Sequence, residues 1–121
     1  AIENKIKESN LIGNLIVLGA NEKFVSALVV PAFENLKKWC KENNIDTSDH
    51  KAIIENPRVK ELYTNEIERL NQFINHVEQI KKFELLPEEW SIDSGELTPK
   101  LSLKRKVIMG KNKDAIDRIY H

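Results

Sequence analysis

Apolar side chains change their spacing several times along the chain, and each change marks a different element. Ile2 and Ile6 stand one helical turn apart with Glu3 and Lys7 between them, the pattern of a short helix over residues 2–8 with one apolar edge. From Leu11 to Leu18 the residues become aliphatic and β-branched. The polar stretch Gly19-Ala20-Asn21-Glu22-Lys23 interrupts them, and a second apolar run, Phe24 to Val30, ends at Pro31. Two such runs about a short polar break predict a β-hairpin. Both strands are apolar on nearly every residue near their centres, so helices are expected to cover at least one face of the sheet.

Phe33, Leu36, Trp39 and Cys40 return to helical spacing, and Asn43-Asn44 tolerate the left-handed geometry that closes a helix. Residues 46–50 read as a polar connector. Asn56-Pro57 then supplies an N-cap and a proline at the first helical position. Val59, Leu62, Tyr63, Ile67, Leu70, Phe73, Ile74 and Val77 keep the helical period, predicting one helix over 57–79 of about six turns. A strand is expected at Ile80 to Leu86, before Pro87. Ser94-Gly95 marks a turn, Thr98-Pro99 holds its neighbourhood extended, and Ile116, Ile119 and Tyr120 predict a closing helix over 114–120. The expected architecture is α+β, a small β-sheet with packed helices, the longest of them the 57–79 helix.

With 121 residues, 40% of them hydrophobic, the chain has the size of one domain with one core over 1–121. The 19 basic and 19 acidic side chains cancel, so no global field draws it to nucleic acid, and any charge-based function must come from local clustering. Cys40 is the only cysteine, which excludes an intrachain disulfide and a cysteine-based metal cage and suits the reducing cytoplasm. The longest apolar stretches are too short to cross a bilayer, and no basic-then-apolar leader precedes them. The chain starts at Ala1 already inside an amphipathic pattern, as a domain cut from a longer protein or a processed chain would.

A complete catalyst needs a nucleophile with its base, a metal cage or a phosphate cradle. His50, His76 and His121 have no histidine or cysteine partner one helical turn away, and the four glycines form no phosphate loop. ATP binding by this chain alone is therefore not expected. Cys40 continues the apolar face of Phe33 and Leu36 and reads as a small core hydrophobe. Trp39 reads as core, and Trp90 as a cover for the edge of the sheet. The remaining feature is a basic run: Lys100, Lys104, Arg105, Lys106, Lys111 and Lys113 all precede Asp114. A solvated helix face accounts for such charge. However, the segment Gly95-Glu96-Leu97-Thr98-Pro99-Lys100-Leu101-Ser102-Leu103-Lys104, read as extended, aims alternate lysines in one direction, which suits an anionic ligand.

These residues resemble the C-terminal domain of the AMP-forming long-chain fatty-acid:CoA ligases, within the adenylate-forming superfamily. The resemblance spans nearly the whole chain. It rests on Ile2-Glu3-Asn4 with Lys7-Glu8-Ser9, on Val17-Leu18-Gly19 with Ala27-Leu28-Val29-Val30-Pro31, and on Ile80-Lys81-Lys82-Phe83 with Leu86-Pro87. Gly95-Glu96-Leu97-Thr98-Pro99 with Lys104-Arg105-Lys106 completes it. What it implies is a mobile lid on a larger N-terminal domain, absent from this chain, that binds ATP, Mg2+ and the fatty acid. Such enzymes form an acyl-adenylate and then the CoA thioester, and the lid rotates between the two half-reactions.

The resemblance also implies a lysine, from the segment after Thr-Pro, that joins the acyl carboxylate to the α-phosphate. Ser102 occupies that position here, with lysines two residues before and two after. Lys100 is the first candidate because it lies in the Thr-Pro loop, and Lys104 is the alternative. Impaired adenylation is a further reading left open by Ser102. The turn at Gly19 and Lys23 is the candidate CoA contact, set against an ordinary hairpin turn. Peripheral membrane association of the whole enzyme is left open. The competing reading is a stand-alone binding module whose basic C-terminal segment contacts an anionic partner.

Overall fold

The computed structural model describes residues 8–19 and 22–120. The helix expected over 2–8 lies outside the described residues except for its last position, as do Ala20, Asn21 and His121. The hairpin is present. Strand β1 (Ile12–Leu18) runs antiparallel to β2 (Ser26–Pro31), with Ile16 opposite Leu28 and a register shift between Ile12 and Asn14. Strand β3 (Lys82–Leu85) pairs in parallel with the other edge of β2, Val29 opposite Leu85, giving the order β1-β2-β3. A parallel neighbour requires a crossover. The helices between residues 33 and 71 provide it, and all six residues of β2 are buried as a result.

Helix α1 (Phe33–Glu42) buries Phe33, Leu36 and Cys40 and ends at Asn43, with Asn44 at φ 59° as its sequence suggested. Trp39 packs half-buried against the core. Cys40 is fully buried, and burial pushes its thiol pKa up, so it remains a neutral packing group.

Helix α2 (His50–Glu55) occupies the end of the stretch read as connector and beyond it. Six residues are too few to display a period; the cap Asp49, which accepts from Lys51 N at 3.2 Å, and the buried pair Ile53-Ile54 define it. His50 stacks on Phe33 with ring centroids 3.8 Å apart and places Nδ1 2.9 Å from the Pro87 carbonyl, a packing role.

Helix α3 (Pro57–Asn71) starts as expected: the Asn56 side chain accepts from Arg58 N at 2.8 Å. It buries Val59, Tyr63, Ile67 and Leu70, and Tyr63 donates its hydroxyl to the Leu11 carbonyl at 2.6 Å, tying it to the approach to β1. It stops at Asn71 rather than continuing to 79. The Asn71 side chain brackets Ile80, accepting from its N–H at 3.0 Å and donating to its carbonyl at 2.9 Å. The Gln79 side chain donates to the Asn71 carbonyl at 2.9 Å. Side chains thus replace the next helical turn, and the chain reverses through a short 3-10 turn at His76–Glu78. Phe73 and Val77, expected in the core, are 58% and 85% exposed.

The chain closes with α4 (Arg105–Lys111), whose N-cap at Lys104 agrees with a helix following the Thr-Pro loop, and α5 (Lys113–Tyr120), close to the expected 114–120. Tyr120 docks α5 on the sheet: its hydroxyl lies 2.6 Å from Ser26 Oγ and donates to the Phe24 carbonyl at 3.0 Å. Its ring sits 4.8 Å from that of Phe24. Arg118 Nε pairs with Glu84 Oε1 at 2.8 Å.

Candidate functional site

The segment carrying Lys100, Ser102 and Lys104 is not an extended strand. It is a tight hairpin between the end of the 91–96 loop and α4. Leu97 bridges Leu103, Thr98 N donates to the Ser102 carbonyl at 2.9 Å, and Lys104 N donates to the Glu96 carbonyl at 2.8 Å. Leu101 N donates to the Thr98 carbonyl at 2.7 Å, and Ser102 N donates to Thr98 Oγ1 at 3.0 Å. The reversal places Leu101 at φ 65°. A left-handed conformation for such a side chain costs about 1–2 kcal/mol, so the hydrogen bonds around Thr98 must hold it.

The common direction expected for Lys100, Ser102 and Lys104 therefore fails. Lys100 belongs to the turn, Ser102 and Lys104 to the returning arm, and Lys104 is the N-cap residue of α4. All three are exposed. Among the described residues neither Lys100 nor Lys104 pairs with a carboxylate, whereas Lys111 of the same basic run does. Leu101 and Leu103 are 66% and 39% exposed, so the cations stand among apolar side chains open to solvent.

The base of this hairpin is fastened by Glu96, a residue to which the sequence reading gave no role. The residue is buried, and its carboxylate accepts from Ser94 Oγ, from Ser91 N at 3.3 Å and from Lys111 Nζ at 3.1 Å. Lys111, in the last turn of α4, also donates to the Ser94 carbonyl. Gly95 stands at φ 96°, where its missing Cβ would lie 3.9 Å from Val107 of α4. Glycine is needed there for its backbone rather than for space. Burial pushes the Glu96 carboxyl up, but the hydrogen bonds from Ser94 and Lys111 outweigh it and hold the pKa below the usual range. A depressed acid stabilises the fold fully above its unfolded pKa and loses that contribution as pH falls through the folded value. Amide protection in the 91–104 region is therefore expected to weaken selectively in acid, read by hydrogen exchange across a pH series.

Gly19 and Lys23 belong to the separate β1–β2 turn, where Glu22 N donates to the Gly19 carbonyl at 3.2 Å and Lys23 is exposed. The Lys23 side chain is open to solvent. Among the described residues no group of three His, Cys, Asp or Glu side chains could hold a metal ion, and no helix is long and apolar enough to cross a membrane.

The chain is similar to known proteins. The family model described as "AMP-binding enzyme C-terminal domain" matches residues 1–121. A long-chain-fatty-acid–CoA ligase of Mycobacterium tuberculosis, FadD15, is 30% identical over 122 residues, covering 99% of this chain and 20% of the relative. Human long-chain-fatty-acid–CoA ligase 1 is 31% identical over 122 residues, covering 98% of this chain and 17% of its own length. The chain thus spans about a fifth of the curated relatives it matches. Among solved structures, the adenylation domain of a carboxylate reductase from Mycobacterium chelonae superposes with a TM-score of 0.73 at 17% identity. The superposition covers 97% of this chain and 17% of that one, and at this identity it bears on the fold alone.

Proposed function

The chain belongs to the family of AMP-binding enzyme C-terminal domains, and from that premise we propose that it is the mobile lid of a long-chain fatty-acid:CoA ligase. The missing N-terminal domain supplies the sites for ATP, Mg2+ and the fatty acid, and CoA enters for the second half-reaction. The chemistry supplied there is attack of the carboxylate on the α-phosphorus with loss of pyrophosphate, followed by displacement of AMP by the thiol. The lid contributes one cation to the first step, Lys100 with Lys104 as its alternative, and another surface, around Gly19 and Lys23, to the second. Rotation of a rigid domain about a hinge exchanges these surfaces. The reading places the enzyme in the cytoplasm.

The observation that carries this reading is the hairpin at 97–103. It is strained at its turn and fastened at its base, and it presents Lys100 exposed with no carboxylate partner among the described residues. The backbone that carries this ammonium is already fixed, so only side-chain freedom is lost when it meets an anion on another domain, and carboxylate and phosphate brought together need such a charge between them.

The test is made on the full-length gene product. It is expected to exchange pyrophosphate into ATP only when a long-chain fatty acid is present, and to release acyl-CoA when CoA is added. The 121-residue chain alone is expected to do neither. Absence of exchange with any carboxylate would sink the proposal. Salt-dependent binding of the isolated chain to nucleic acid or an acidic protein would favour the stand-alone module instead.

A further inference from the structure

Glu96 is the one carboxylate among the buried polar groups of the described residues, and it joins three things that otherwise have no reason to move together. Through its main chain it closes the hairpin, accepting from Lys104 N at 2.8 Å. Through its side chain it gathers the 91–94 loop, by way of Ser91 N and Ser94 Oγ. Through Lys111 at 3.1 Å it reaches the far end of α4. Lys104 caps the start of that helix and Lys111 ends it, so one residue grips α4 at both ends and lays the hairpin along it.

We infer that Glu96 is the positioning residue of the lid, the group that fixes the hairpin bearing Lys100 on α4, with Lys111 as its counter-charge. This inference rests on the lid reading above for its catalytic consequence, though not for its structural one. Few other contacts hold the hairpin. Leu101 is 66% exposed and Leu103 39%, so apolar burial at the tip is incomplete. The turn at Leu101 is itself unfavourable. Directional, charge-assisted hydrogen bonds at the base must therefore set its orientation. They are sheltered at the carboxylate, where side-chain exposure is 9%, and more open at the ammonium, where it is 47%. Without the carboxylate charge, Lys111 loses its counter-charge and keeps only the Ser94 carbonyl, so the ion pair that ties the base of the hairpin to the end of α4 is gone.

Two readouts in the full-length enzyme separate this role from a general effect on folding. In Glu96→Gln and in Lys111→Met, amide hydrogen exchange of Thr98, Ser102 and Lys104 is expected to accelerate about tenfold, the worth of a charge-assisted bond, with the sheet unaffected. ATP–pyrophosphate exchange is expected to fall by a similar factor of about ten in kcat while KM for ATP and fatty acid holds, because binding is intact and only placement is lost. Thioester formation from a supplied acyl-adenylate is expected to keep its rate, and Lys111→Arg is expected to preserve both readouts. Unchanged protection of the hairpin amides in either variant overturns the inference. So does loss of protection throughout the domain with both half-reactions slowed together. If Lys100→Ala and Lys104→Ala each leave pyrophosphate exchange untouched, the lid-cation reading fails, and the amide readout still decides the role of Glu96.

Discussion

Lys100→Ala in the full-length enzyme is expected to slow ATP–pyrophosphate exchange about a hundredfold, equivalent to about 3 kcal/mol of lost transition-state stabilisation. Thioester formation from a supplied acyl-adenylate is expected to stay within about twofold of the parent, because the cation is required only while carboxylate and phosphate are forced together. The asymmetry is the informative part. A lysine that merely solubilised the surface would change neither step, and one that held the fold would change both. Lys104→Ala is the internal control. Its main chain closes the hairpin and caps α4, and neither contact uses the ammonium, so removal of the side chain leaves the scaffold in place. A large loss at Lys104 with none at Lys100 would move the assignment by one arm of the hairpin. No loss at either would remove it and favour the reading in which Ser102 marks impaired adenylation.

The hairpin also shows where the sequence was readable and where it was not. Ser94-Gly95 announces a turn and the basic run after it announces charge, because both signals are local, whereas Thr98-Pro99 reads as extended and in fact opens a second reversal. The direction of the turn was not legible. An alternating series Lys100-Leu101-Ser102-Leu103-Lys104 has the period of a strand, and only the left-handed backbone at Leu101 reverses it. Nothing in a leucine advertises that geometry, which is imposed by the bonds to Thr98 and by the anchoring at Glu96. Glu96 was invisible for a related reason. A glutamate beside a glycine reads as solvated turn, and its partner Lys111 lies in a cluster of like charges from which no single member stands out.

The same contrast holds in the body of the fold. Asn56-Pro57 and the periodic face from Val59 to Leu70 located α3 correctly, since capping and amphipathicity act within a few residues. Its end was missed because Phe73, Ile74 and Val77 continue the period after the helix has stopped. The signal that outweighs them is the pair of Asn71 bonds to Ile80, a contact across nine residues that periodicity does not encode. The hairpin strands were legible from their continuous apolar runs. The parallel placement of β3 beside β2 follows from the crossover and not from any feature of residues 82–85.

Leu28→Ala is expected to destabilise the chain by about 2–5 kcal/mol, read as a lowered denaturation midpoint at unchanged slope. Leu28 is fully buried at the centre of β2, opposite Ile16 on one side and Glu84 on the other, in the only strand of the sheet with two neighbours. Truncation there removes three carbons' worth of packing from a layer that cannot collapse, because both flanking strands are held in register by the ladder. Such a loss is a large share of the roughly 5–15 kcal/mol that holds a domain folded. In the full-length enzyme it should therefore lower both half-reactions in proportion to the unfolded fraction, in contrast to Lys100→Ala, which lowers only the first. Val77→Ala supplies the comparison: at 85% exposure it should change stability by less than about 0.5 kcal/mol. If the two truncations cost the same, the core has been placed on the wrong residues, and the lid would lack the rigid body that its rotation requires.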